Sequence, residues 1–173
     1  MNDLLLAPES VGGAAPVLME KGAALFVTFK IAYQQFALPL AVVLEITRLP
    51  ALVALAGAPP TLCGLLNLRG RYLPVLDAWA LMGAPVEYDL NSQIVIAGRG
   101  IPEVGLLVDQ VRDVCMVAAD RVVPINRTDV APFLTSVFDL AEESVLVFDL
   151  AALLACTPRK VQPKARKSAK RAS

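Results

Sequence analysis

The second half of this 173-residue chain repeats the first, and the repeat limits the fold more than any single motif does. Phe36, Leu38 and Leu40 lie over Val104, Leu106 and Val108 at an offset of 68 (104 minus 36). The same offset sets Val43, Glu45 and Ile46 on Val111, Asp113 and Val114, an acid preceding a β-branched residue in both copies. Further on, Gly64, Asn67 and Leu68 fall on Ser136, Asp139 and Leu140 at an offset of 72 (136 minus 64). That offset holds through Leu73, Val75, Leu76 and Asp77 over Val145, Val147, Phe148 and Asp149. A slip of four residues between two runs of constant offset is what a loop insertion leaves. The reading is a tandem of two related small β-barrels. Units of roughly 65–70 residues have marginal cores, so the two are expected to pack together, with a ligand or peptide helix suited to the groove between them.

Each half reads as short strands. Residues 25–31 alternate large apolar side chains with Thr28 and Lys30, as in a half-buried strand, and residues 35–40 return after a turn at Ala32 to Gln34. Residues 41–46 suit either a helical turn or a strand. As a helix they place Val42 and Ile46 on one face beside Glu45, and Val42, Val43 and Ile46 are then either a docking patch rimmed by charge or ordinary core. After the break at Gly57 to Pro60, residues 63–68 and 72–76 form a hairpin turning at Asn67-Leu68-Arg69-Gly70. Gly70 can supply positive φ there and Asn67 can bond its own backbone. Asp77 is placed to cap a short helix over 78–82, closed by Gly83 and Pro85. The second half brings strands over 93–97 and 101–108, another pair over 133–140 and 144–150, and a last short helix over 151–156. Residues 1–23 are expected to be a flexible leader and 157–173 a disordered basic tail. Between them one domain, 24–156, divides into halves of roughly 24–90 and 91–156.

Composition removes whole classes of function. There is no histidine, so imidazole general bases, Ser-His-Asp nucleophiles, phosphohistidine relays and imidazole metal sites are absent together. No glycine-rich phosphate cradle occurs, and Cys63, Cys115 and Cys156 lack metal-ligand spacing, which suits free thiols in a reducing cytoplasm. Neither an enzyme nor a metal or cofactor site is expected. No apolar run approaches the ~18–20 residues of a membrane span, and the N-terminus makes a poor secretory signal. The net charge of zero conceals an asymmetry. Seven basic residues follow Pro158, leaving 9 (16 minus 7) against 16 acids in the body, a net of −7. The tail could meet anionic lipid, nucleic acid or an acidic partner, or be a solvated end; an acidic body lacking aromatic–basic interleaving argues against nucleic acid.

Val43-Leu44-Glu45-Ile46, Pro59 and the run Gly64, Asn67, Leu68, Arg69, Gly70, Pro74 and Asp77 resemble the CheW-like coupling proteins of bacterial chemotaxis, over about residues 24–156. The resemblance implies a mainly β fold of two intertwined five-stranded SH3-like barrels with short helices. It implies a non-enzymatic adaptor bridging chemoreceptor cytoplasmic tips to a CheA-type histidine kinase, cytoplasmic and tied to the membrane only through receptor arrays. Carried over by position, Val43, Glu45, Ile46, Gly64 and Arg69 belong to the receptor-facing region. Asn67, Leu68, Gly70, Pro74 and Asp77 are the structural part of the motif. Thr61 replaces a frequent aromatic, and Trp79, where the family often has arginine, adds an aromatic that leans toward exposure. Glu45 with Arg69 is either a surface ion pair or a bridge shaping the groove. A coupler of twitching motility or another chemosensory-like pathway, or a small-ligand-binding barrel, is the alternative reading.

Overall fold

The structure, a computed structural model, describes residues 18–19, 22–85, 87–126 and 131–158. The basic tail beyond Pro158 and most of the leader therefore lie outside the described residues. The first half supplies strands β1 (Leu18–Met19), β2 (Ala23–Ile31), β3 (Gln34–Pro39), β4 (Val43–Arg48), β5 (Leu62–Leu68) and β6 (Arg71–Asp77), then helix α1 (Ala78–Leu81). The second supplies β7 (Gln93–Ala97), β8 (Val104–Val108), β9 (Gln110–Ala118), β10 (Val123–Pro124), β11 (Leu134–Leu140), β12 (Glu143–Phe148) and helix α2 (Leu150–Ala155).

These strands make two mixed sheets, and neither sheet belongs to one half. One runs β9-β2-β3-β12-β11, with the short β1 and β10 added to it; the other runs β4-β7-β8-β6-β5. Each takes an antiparallel hairpin from one half and three strands from the other. This exchange is the intertwining that the family resemblance implies, and it replaces the simpler tandem of one barrel per half. The seam of each sheet is a parallel pair, β3 with β12 and β6 with β8. A parallel pair needs a long crossover; α1 and β7 lie between β6 and β8, and all of β4 to β11 between β3 and β12.

The repeat survives in register. Val147 sits opposite Ala37, and Val75 opposite Gly105, which are the 72 and 68 offsets of the sequence meeting across each seam. The irregularities are copied too. A bulge falls between Leu62 and Gly64 in β5 and between Leu134 and Ser136 in β11. Another lies beside Val43 in β4 and beside its counterpart Val111 in β9. The hairpin turns match as well: Arg69 and Gly70 have φ of 51° and 83°, Ala141 and Glu142 of 46° and 69°. Two consecutive positive-φ residues make the hairpin turn whose twist suits the flanking strands.

Burial follows from the stacking. One core lies between the sheets, built on Phe29, Phe36, Leu76, Leu106 and Phe148, and a smaller core fills the curl of each sheet. The two smaller cores correspond by the repeat: Phe26, Phe138, Val145 and Val147 in one, Ile94, Leu66, Leu73 and Val75 in the other. Strands at the seam therefore face apolar surroundings on both sides, and all of β8 is buried. This explains why its sequence shows no alternation. Asp77 and Asp149 each cap the helix after their strand, accepting from Ala80 N–H at 3.0 Å and Ala151 N–H at 3.0 Å.

Residues 41–46 resolve as a short 3-10 turn over Leu40–Val42 followed by strand β4. Val42 is core, 5% exposed, so it drops out of the expected docking patch. The expected strand over 101–108 shortens to β8. Part of the leader, Leu18–Met19, pairs with Ala23 and Ala24.

Gly64 carries a packing constraint. Its φ is 151°, and a Cβ there would meet the Val53 carbonyl oxygen at 2.6 Å. Val53 is where the chain leaving β4 bonds β5, through Val53 N–H to Leu65 O at 2.8 Å and Leu65 N–H to Val53 O at 2.9 Å. That bridge links the two edges of the curled sheet without a continuous ladder. Gly64→Ala is expected to lower stability by about 1–3 kcal/mol in urea unfolding, since it combines a disfavoured backbone with a backbone clash.

Candidate functional site

Strand β4 forms one edge of its sheet, and its burial alternates. Leu44 and Ile46 point outward, 39% and 41% exposed, while Val43 packs partly against the core between the sheets. Val43 and Ile46, three apart on a strand, occupy opposite faces, so only Ile46 of that pair offers apolar surface. Glu45 stands between them. Its carboxylate meets the Arg69 guanidinium at 3.3 Å, joining the β4 edge to the tip of the β5–β6 hairpin.

The Arg69 side chain is 81% exposed, so this contact is a surface clasp in energetic terms, worth about 0–1 kcal/mol. Its position follows from the turn. Asn67 Oδ1 accepts from Gly70 N–H at 2.9 Å, holding Arg69 at the apex with positive φ. The hairpin also presents Arg71 and the half-exposed Tyr72, which with Leu68, Arg69 and Pro102 line a hollow of about 190 Å³. Sequence reasoning passed over Arg71 and Tyr72. No alternation in β6 marks them: both are exposed at its start, and the five residues that follow are all buried.

Thus Glu45 and Arg69 meet at this exposed edge, while Ile46, the next residue of β4, turns with Leu44 to the other face of the strand. Gly64 does not present itself there: it is buried under Val53. Leu68 is half-buried, and Pro74 and Asp77 are buried, in keeping with structural roles.

A second polar region lies at the seam. Trp79, expected to lean outward, is 7% exposed and part of the core. Its indole N–H donates to the Asp109 carboxylate, whose other oxygen accepts from Ala32 N–H at 2.8 Å. Asp109 occupies the single residue between β8 and β9, where the chain passes from one sheet to the other, so one carboxylate ties α1, this crossover and the β2–β3 turn. The counterparts by offset are Ala41 and Ala151, which cannot form such a tie. Above it opens a cleft of about 490 Å³ lined by both sheets.

Beneath α1, Asp77 also accepts from the Tyr88 hydroxyl. Burial pushes the Tyr88 phenol up, and the bonded Asp77 carboxylate adds to it. Burial, then the same negative charge, pushes the Cys63 thiol up to about 12. Cys63 is accordingly a neutral packing residue at ordinary pH rather than a nucleophile. No cluster of His, Cys, Asp and Glu that could hold a metal occurs among the described residues, and no helix among them is long and apolar enough to cross a membrane.

The family model of the CheW-like domain matches residues 25–156, and the chain belongs to that family. It is 28% identical over 135 residues to chemotaxis protein CheW of Klebsiella aerogenes, an overlap of 75% of this chain and 80% of the relative. It is 33% identical over 94 residues to the CheW of Bacillus subtilis, covering 53% and 59% of the two chains. The solved scaffolding protein TtCheW from Thermoanaerobacter tengcongensis shares the fold, with a TM-score of 0.69 at 22% identity over 75% of this chain and 86% of that one.

A double-mutant cycle with Glu45→Ala and Arg69→Ala is expected to give a coupling no larger than about 1 kcal/mol in chemical unfolding. For Cys63, a folded pKa above the unfolded value of about 9 means stability that is whole below pH 9 and lost as pH rises toward 12. Urea titrations from pH 8 to about 11 should show that decline, and Cys63→Ala should flatten part of it.

Proposed function

We propose that this chain is a non-enzymatic adaptor that couples chemoreceptor cytoplasmic tips to a CheA-type histidine kinase in chemotaxis, in the cytoplasm at receptor arrays. The observation that carries the reading is the β4 edge. Two outward apolar side chains, Leu44 and Ile46, expose one face of this edge strand, and Glu45 on its other face meets an arginine from another strand pair. An apolar strip with a charged pair on the opposite face of the same edge suits the docking of a helical partner. The relatives named chemotaxis proteins support the pathway, and the match over most of the domain supports the kind of partner.

In this reading the mechanism is contact. The receptor docks at the β4 edge, the kinase binds another face, and the adaptor's unequal affinity for two kinase states sets the coupling. Glu45 and Arg69 supply the charged part of this edge, and their weak, exposed contact leaves both side chains open to the partner. Gly64 and Val53 support that surface from below.

The test is retention of a receptor cytoplasmic fragment and of a CheA-type kinase, both from the protein's own cell, on the immobilised chain. Wild-type protein is expected to retain both. Ile46→Glu and Arg69→Glu should each weaken receptor retention by about tenfold or more, roughly 1.4 kcal/mol, with unchanged circular dichroism. Retention of neither partner by the wild type removes the adaptor reading.

A further inference from the structure

The chain passes between the two sheets twice, and the two joints are not built alike. At one joint, Asp109 between β8 and β9, the Asp109 backbone N–H donates to Lys30 O at 3.0 Å. At the other, the turn Leu40–Val42 between β3 and β4, Val42 O accepts from Gly98 N–H at 2.9 Å. Lys30 and Gly98 are counterparts at the offset of 68, so the backbone bond of the joint is common to both copies.

The side chains are not. Around Asp109 they add three hydrogen bonds. Its carboxylate accepts from Ala32 N–H at 2.8 Å in the β2–β3 turn and from the Trp79 indole of α1. Gln93 Oε1 on β7 accepts from Val111 N–H on β9 at 2.7 Å, a bond that runs directly from one sheet to the other. At the second joint the counterparts are Ala41 for Asp109, Ala151 for Trp79 and Leu25 for Gln93, whose side chains make no hydrogen bonds. The turn Leu40–Val42 itself carries no side-chain cap. What holds that side is apolar: Val42, Leu150 and Leu153 are buried in the core between the sheets. Apolar contact is non-directional and tolerates sliding, whereas a hydrogen bond weakens steeply as its angle and length leave the optimum.

We infer that the two sheets pivot on the Asp109 joint and part first at Leu40–Val42. One joint is a fixed hinge and the other a sliding contact, from the same backbone plan. Strand β4 leaves the sliding joint, so a shift there is carried into the edge strand, while β9 leaves the fixed one. The hinge is a property of the chain alone and does not rest on the adaptor reading.

Hydrogen exchange of the purified full chain tests this with two matched reporters, the Asp109 N–H at the fixed joint and the Gly98 N–H at the sliding one. With three further bonds guarding the first, its protection factor is expected to exceed that of Gly98 by at least about tenfold under native conditions. Asp109→Ala with Gln93→Leu gives the fixed joint the residues of its counterpart. It should lower protection of the backbone N–H at that position by about tenfold and leave Gly98 within about twofold. Trp79→Phe removes one bond and keeps an aromatic in the core, so a smaller loss is expected at the same N–H; this variant decides the matter if the double variant does not fold. Equal protection of the two reporters in the wild type overturns the proposal. A wild-type difference that the variants leave unchanged overturns it as well. So does a loss that falls equally on both reporters, which marks lower global stability and no hinge.

Discussion

The parallel seams hold this protein together. β3 lies against β12 and β8 against β6, and each contact joins a hairpin from one half of the chain to strands from the other. The seam strands are buried on both faces, inside the curl of their own sheet and against the opposite sheet. Neither face could be covered by one half alone. A free β2–β3 hairpin would expose Phe36 and Leu38 on one side and Ala37 on the other. The exchange thus converts two marginal barrels into one cooperative unit, since the core between the sheets forms only when both hairpins have crossed.

Upon this shared backbone the two copies diverge in side chains, and the divergence falls where the surface is distinctive. The hairpin apex holds Arg69 in one copy and Ala141 in the other, both with positive φ, so the turn geometry is common while the charge is not. Glu45 has Asp113 as counterpart, but an aspartate facing an alanine tip has no clasp to make. Gly64 becomes Ser136 at the same bulge. Asp109 and Trp79 correspond to two alanines, so only one of the two sheet crossovers is tied by a carboxylate. Repetition supplies a stable scaffold with two like edges, and single substitutions make the edges unlike.

Much of this was legible before any coordinates. The hairpins and the helix cap at Asp77 are local devices, written within a few residues of where they act. The likeness to the CheW family was carried by the same short segments. Strand β9 was not read as a strand because it is half-exposed and carries Arg112 and Asp113 in its middle, which masks the alternation. The repeat held the missing signal, as this segment had been aligned with Val43 to Ile46. Trp79 was misplaced for a different reason. Whether an indole can be buried depends on a partner for its N–H, and that partner, Asp109, lies thirty residues away in the sequence.

The sequence by itself determined the repeat, its two offsets, the turn at Arg69 and Gly70, and the β-rich class, because each depends on spacing and on local backbone preference. The tertiary structure alone decided which hairpin joins which sheet, and that Ile46 faces outward while Val42 is core. The physical reason is that backbone ladders carry no residue identity. A period-two pattern says that a strand has a face to bury, but the choice of partner strand comes from covering all the apolar faces at once, and that is a property of the whole chain.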